Sequence, residues 1–143
     1  MKLHRLLVWV LSAFGIAFVS LNYLKFWNAR SIRQNEALHK VLGAEASNAS
    51  VELSAADEGF LFGDSSYVWK LKFTQVPETF LGSLIISDVS DLKATEGTIE
   101  QLLHVKLPKG VRRTVMRRDI NSGAVYVIRE DGSDIIYIVI NTL

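Results

Sequence analysis

Residues 6–24 read LLVWVLSAFGIAFVSLNYL, a stretch without Asp, Glu, Lys, Arg or His. A helix over it, rising about 1.5 Å per residue, is roughly 28 Å long and matches a hydrocarbon core of about 30 Å. Arg5 and Lys25 bracket the stretch with side chains long enough to reach an aqueous interface. Trp9 lies one turn inside one end, and Tyr23, Phe26 and Trp27 gather at the other, as interfacial aromatics do. A buried core helix is shorter and carries a polar stripe. The sequence therefore predicts a membrane anchor, held by lipid around residues 6–24 and by Trp9, Tyr23 and Trp27 at its ends.

A cleaved signal peptide has an apolar stretch of about 7–15 residues and a small-x-small cleavage site. Here the exit is Asn22-Tyr23-Leu24-Lys25-Phe26-Trp27, and the nearest approach to a cleavage site, Phe18-Val19-Ser20, puts Phe where a small residue is needed. This favours an uncleaved signal anchor over residues 1–27, with a secreted domain released by cleavage as the alternative. Basic residues flank the segment on both sides, so the positive-inside comparison barely discriminates. The short basic amino-terminal tail favours a distal domain outside the cytoplasm, periplasmic if the membrane is a bacterial inner membrane. A cytoplasmic domain is the competing topology.

The chain of 143 residues has room for such an anchor and one modest domain. A net charge of +1 conceals two unlike halves. Residues 1–40 hold six Lys and Arg against one acid, whereas residues 41–143 hold ten against fourteen. The absence of cysteine excludes a disulfide framework, a thiolate-bound zinc and a thiol nucleophile. Residues 28–42 contain good helix formers and no Gly or Pro, which predicts a helical stalk. Residues 43–56, GAEASNASVELSAA, are small and polar and read as a linker, so stalk and linker together cover 28–56. Asn48-Ala49-Ser50 within it fits the N-glycosylation triplet, which matters only in a eukaryotic luminal setting.

Residues 57–143 predict an α+β domain of about five strands in ββααβββ order, an antiparallel sheet packed against two helices. Residues 59–62 and 67–73 flank a Gly-Asp-Ser-Ser turn and read as a hairpin, the second arm alternating Tyr67, Trp69, Leu71 and Phe73 with Val68, Lys70 and Lys72. Pro77 opens a first helix through Phe80, Leu81, Leu84 and Ile85. The capping-box pattern Thr98-Ile99-Glu100-Gln101 opens a second helix, which stops at Pro108-Lys109-Gly110. Strands follow at residues 111–118, 124–129 and 135–140. The last of these, IIYIVI, is apolar on both faces and must be central. With both helices on one face, the other face requires cover from the linker, a second copy or a partner protein.

Patterns that carry chemistry are sparse. There is no Walker A, Gly-x-Gly-x-x-Gly, Gly-x-Ser-x-Gly or His-Glu-x-x-His motif, and neither a cofactor nor a metal is expected. His104 reads as a half-buried helix residue. Asp57, Glu58 and Asp64 cluster near the hairpin, where a general acid–base pair is conceivable but a solvated rim is the simpler reading. The feature above background is a run of cations: Lys106, Lys109, Arg112, Arg113, Arg117 and Arg118. On a strand, Arg113 and Arg117 share one face and Arg118 takes the other. Lys109, Arg112, Arg113, Arg117 and Arg118 are thus candidates for contact with anionic lipid or a protein partner. The plainer reading pairs them with Asp119, Glu130 and Asp131. The acidic balance of the domain argues against nucleic acid, and no small-molecule substrate is indicated. The resulting expectation is a non-enzymatic interaction, assembly or regulatory module of a cell-envelope complex, its partner being another protein or a second copy.

Overall fold

A computed structural model describes residues 2–58 and 65–142, with side chains from Val8 onward. The chain divides into two compact units, residues 1–38 and 39–143. Helix α1 (Lys2–Leu42) supplies the first and runs its last turn into the second. No proline interrupts it, which is why the predicted stalk is continuous with the apolar segment. Its large apolar side chains from Val8 to Trp27 are 48–77% exposed. The helix is long and apolar enough to cross a membrane, the property of an anchor or of a signal sequence. Asn22, the most polar group in the apolar run, satisfies its amide by donating from Nδ2 to the Phe18 carbonyl at 2.8 Å. One turn further on, Tyr23 stacks on Trp27 at 6.1 Å between ring centroids, and Arg30 lies 5.9 Å over the Trp27 ring.

The second unit is α+β, and its strands form one antiparallel sheet. After a 3-10 turn at Gly43–Asn48 come β1 (Ala49–Glu58), β2 (Ser65–Phe73), α2 (Glu78–Gly82), β3 (Ile85–Ile86), α3 (Val89–Leu103), β4 (Arg113–Ile120), β5 (Gly123–Glu130) and β6 (Ile135–Thr142). The spatial order is β1-β2-β6-β5-β4-β3, so the apolar β6 is central as its composition demands. Residues Ile136 to Ile140 are all buried.

Cross-strand partners fix the two faces. Val68, Val139, Tyr137, Ile128 and Val115 pair across adjacent strands and form a core with Ile99 of α3 and with Leu107. Trp69, Leu71, Ile136, Ile138 and Val127 occupy the opposite face, fully or almost fully buried. Tyr67 stacks on Trp69 there at 6.0 Å. The cover on that side includes α2: Leu81 lines an open depression together with Thr114 and Met116, and Phe80 lies under Arg118. Leu42, at the end of α1, is also buried.

Several expectations are corrected. The helices take opposite faces instead of one, and α2 supplies part of the cover that the second face required, through Phe80 and Leu81. Residues 49–56, read as part of a linker, belong to strand β1. Ala and Ser favour strands weakly, but an edge strand needs only one paired side, and its ladder with β2 supplies that. Ile85 and Ile86 leave the first helix and form β3, giving six strands in ββαβαβββ order. Pro77 precedes the five-residue α2 as its cap residue. Helix α3 begins nine residues before the Thr98 capping-box pattern, at Val89. Its cap is Asp88, whose carboxylate accepts the Asp91 N–H at 2.9 Å, while Thr98 bonds back to the Ala94 carbonyl in mid-helix. His104 is exposed and left-handed (φ 54°), ending the helix instead of lying half-buried within it. The first arm of the expected hairpin, residues 59–62, lies outside the described residues.

Gly123 starts β5 at φ 149°, and a Cβ there would collide with the Asn141 carbonyl oxygen of β6. Gly123→Ala should cost of order 3 kcal/mol or abolish folding, read by denaturant melts. The bonds from Ser90 and from the Asp91 N–H hold the Asp88 carboxyl below its usual range. A depressed folded pKa stabilises the fold above the unfolded pKa of about 4 and is lost as pH falls through the folded value. Asp88→Ala should melt earlier than the native chain at neutral pH, and Asp88→Asn should melt with a shallower acid limb than the native chain.

Candidate functional site: the basic strand

Strand β4 turns Arg113 and Arg117 toward α3 and Arg118 to the α2 face, because side chains alternate along a strand. Geometry then separates these cations instead of gathering them. Arg113 is the most enclosed, its side chain 7% exposed. Nε donates to Glu130 at 2.9 Å, Nη1 to Glu96 at 3.1 Å and Nη2 to the Pro108 carbonyl at 2.7 Å. Burial opposes its charge, yet the bonds to Glu130 and Glu96 outweigh that and hold its pKa above the ordinary value. One side chain thus ties β4 to β5, to α3 and to the loop after α3.

Arg117 is half-exposed and forks onto Asp119, Nη2 at 2.7 Å and Nε at 2.9 Å from Oδ1. Its guanidinium also lies 5.5 Å over the Tyr126 ring and 4.0 Å from Asp91 of α3. Those partners, Asp119 first, raise its pKa. Arg118 lies 5.8 Å over the Phe80 ring and donates at 3.3 Å both to Ser83 Oγ and to the Val41 carbonyl. It joins α2 to the point where the chain enters the domain. Arg112 is the freest, 88% exposed and 3.6 Å from Asp131. Lys109 is exposed beside an open depression of about 440 Å³ lined also by Lys93, Glu100 and Arg113. The plainer sequence reading, in which Asp119, Glu130 and Asp131 neutralise the run, describes the pairs observed.

The remaining candidates stand apart from this strand. Asp57 and Glu58 end β1, where Glu58 accepts the Tyr67 hydroxyl at 3.2 Å, and Asp64 lies outside the described residues. Among the described residues no group of three metal-ligating side chains is present. Lys70, overlooked in the sequence, reaches Glu52 at 2.7 Å, and that bond raises its pKa against partial burial.

A second overlooked feature is apolar. Ile85 and Ile86 of β3 and Val89 at the start of α3 are 77%, 73% and 67% exposed. The signal was present as two β-branched residues between Gly82-Ser83 and the Ser87-Asp88 helix start, too short a run to read as a strand. No family model, curated protein or solved structure matches this chain.

Removing Arg113 leaves Glu130 and Glu96 facing each other without their common partner. Arg113→Ala should cost about 3 kcal/mol and Arg113→Lys most of that, since an ammonium cannot replace the fork. Arg112→Ala should change stability by no more than about 0.5 kcal/mol in the same urea melts.

Proposed function

We propose that the protein is a single-pass membrane protein whose distal α+β domain serves as a non-enzymatic interaction or assembly module of a cell-envelope complex, on the extracytoplasmic side. The observation that carries this reading is the exposed apolar surface of α1. At about 25 cal/mol per Å² such a surface is costly to leave in water, and a bilayer removes it. The stacked Tyr23–Trp27 pair with Arg30 above it supports an interfacial position for that end of the apolar stretch.

The distal domain supports an interaction role through surface rather than through a cleft. Its most exposed apolar residues, Ile85, Ile86 and Val89, lie on and beside the open β3 edge, and its exposed cations Arg112 and Lys109 remain available for an acidic partner. Arg113 is excluded from that role by its enclosure.

Alkaline extraction and a topology reporter fused after Leu143 test the reading together. The full-length chain should stay in the membrane pellet, and the reporter should be active only outside the cytoplasm. A mature mass lacking the first 20 or so residues would replace the anchor by a secreted domain. A cytoplasmic reporter would reverse the orientation.

A further inference from the structure

We propose that the β3 edge is a two-fold strand-pairing interface, through which a second copy of the chain docks with Ile86 against Ile86 of the partner subunit. The backbone register supplies the first argument. Strand β3 pairs Ile85 with Arg117 and Ile86 with Met116, and the Ser87 N–H donates to the Val115 carbonyl at 3.0 Å. Alternate residues of an antiparallel ladder turn their N–H and C=O toward the same neighbour. Ser87 faces β4, and so does Ile85. Ile86 therefore directs its donor and acceptor to the open side. An antiparallel second β3 centred on Ile86 forms two reciprocal bonds there, one in each direction.

The two sheet edges are unlike, which supplies the second argument. β1 carries Glu52, Asp57 and Glu58, and its ladder is broken by an irregularity between Val51 and Leu53. Charge and irregularity, like shortness, keep an edge from pairing. β3 is two residues long but carries neither charge nor irregularity, and both of its isoleucines are more than 70% exposed, against 49% and 40% for Val51 and Leu53 of β1. Around the dyad Ile85, Ile86 and Val89 of each copy can lose water together.

Charge selects the occupant. The cleft beside β3, about 180 Å³, is lined by Ser83, Arg117, Arg118 and Asp119, and Arg117 is already bonded to Asp119. Asp88 and Asp91 stand at the adjacent start of α3. With two guanidiniums and three carboxylates this surface is nearly balanced and complementary to itself, whereas an anionic bilayer or an acidic peptide would meet the three carboxylates.

Symmetry agrees with the anchor, and this step rests on the membrane reading above. An antiparallel pair has its dyad perpendicular to the sheet, so both copies keep the same face on the same side. Arg118, on the α2 face, binds the Val41 carbonyl where the chain enters the domain. The Val41 carbonyls of the two copies thus lie on one side of the paired sheet.

The chain contains no cysteine, so single replacements report position cleanly. In full-length protein in native membranes, Ile86→Cys should give a disulfide dimer under mild oxidation. Cα atoms about 5.5 Å apart in such a pair lie within disulfide reach. Leu53→Cys on β1 should give none. In detergent the native chain should run at twice its 16.0 kDa mass. Ile86→Glu and Ile86→Lys should each run at the chain mass with unchanged circular dichroism, and mixing the two should restore the doubled mass. A monomeric native chain, a dimer that survives Ile86→Glu, equal cross-linking at both cysteines, or cross-linking to a different protein would each overturn the proposal. If the chain leaves the membrane fraction but still cross-links at position 86, the anchor fails and the pairing stands.

Discussion

The domain is organised around a strand that tolerates water on neither side. Residues Ile136 to Ile140 of β6 are buried without exception, and strand geometry sends successive side chains to opposite faces. Both faces of the sheet therefore have to be covered, whatever the helices prefer. Helix α3 covers one with Ile99, supported by Leu92, Leu102 and Leu103. The other is closed with the help of α2, a five-residue helix contributing Phe80 and Leu81. β2 and β5 flank β6, and their own apolar residues on both faces extend the two cores outward.

Hydrophobic contact alone holds α3 loosely, because among its residues only Thr95 and Ile99 are buried. Arginines of β4 supply the rest. Arg113 reaches Glu96 and Arg117 approaches Asp91, so the helix is tied to the sheet at two points. A guanidinium can do this in a confined place because its donors diverge in one plane, and at Arg113 Nε and both terminal nitrogens are occupied. Charge density in the sequence therefore signalled internal bracing at Arg113 and Arg118, and an exposed cationic surface at Lys106, Lys109 and Arg112. A run of cations says how much charge is present. It does not say how much of it the fold consumes.

What was legible in the sequence follows the strength of local signals. The apolar segment, the central β6 and the strands of the last third are each marked by composition or period over many residues, and each forms. The turn at Asn121-Ser122 and the one at Asp131-Gly132 lie where turn-forming residues cluster. Strand β1 was illegible because its residues are small and polar, and what makes it a strand is β2, located in the sequence beyond residues 59–64. The Thr98 capping box misled because three residues cannot reveal that a helix already runs through them, whereas the cap at Asp88 followed two isoleucines that read as helix. Opposite placement of the two helices depends on sheet order, which no local pattern encodes.

The same sheet order bears on how far association can go. A sheet with two open, matching edges adds copies head to tail without limit, because the contact is heterologous and does not close. Here the edges differ: β3 is bare and apolar, and β1 bears three carboxylates. Pairing β3 with β3 about a dyad consumes both bare edges and leaves the two acidic β1 strands at the outer ends. Further growth would bring carboxylates of like charge together along strands already distorted by an irregularity. Assembly by this route ends at two copies and a continuous twelve-stranded sheet, and the asymmetry between the edges is what ends it.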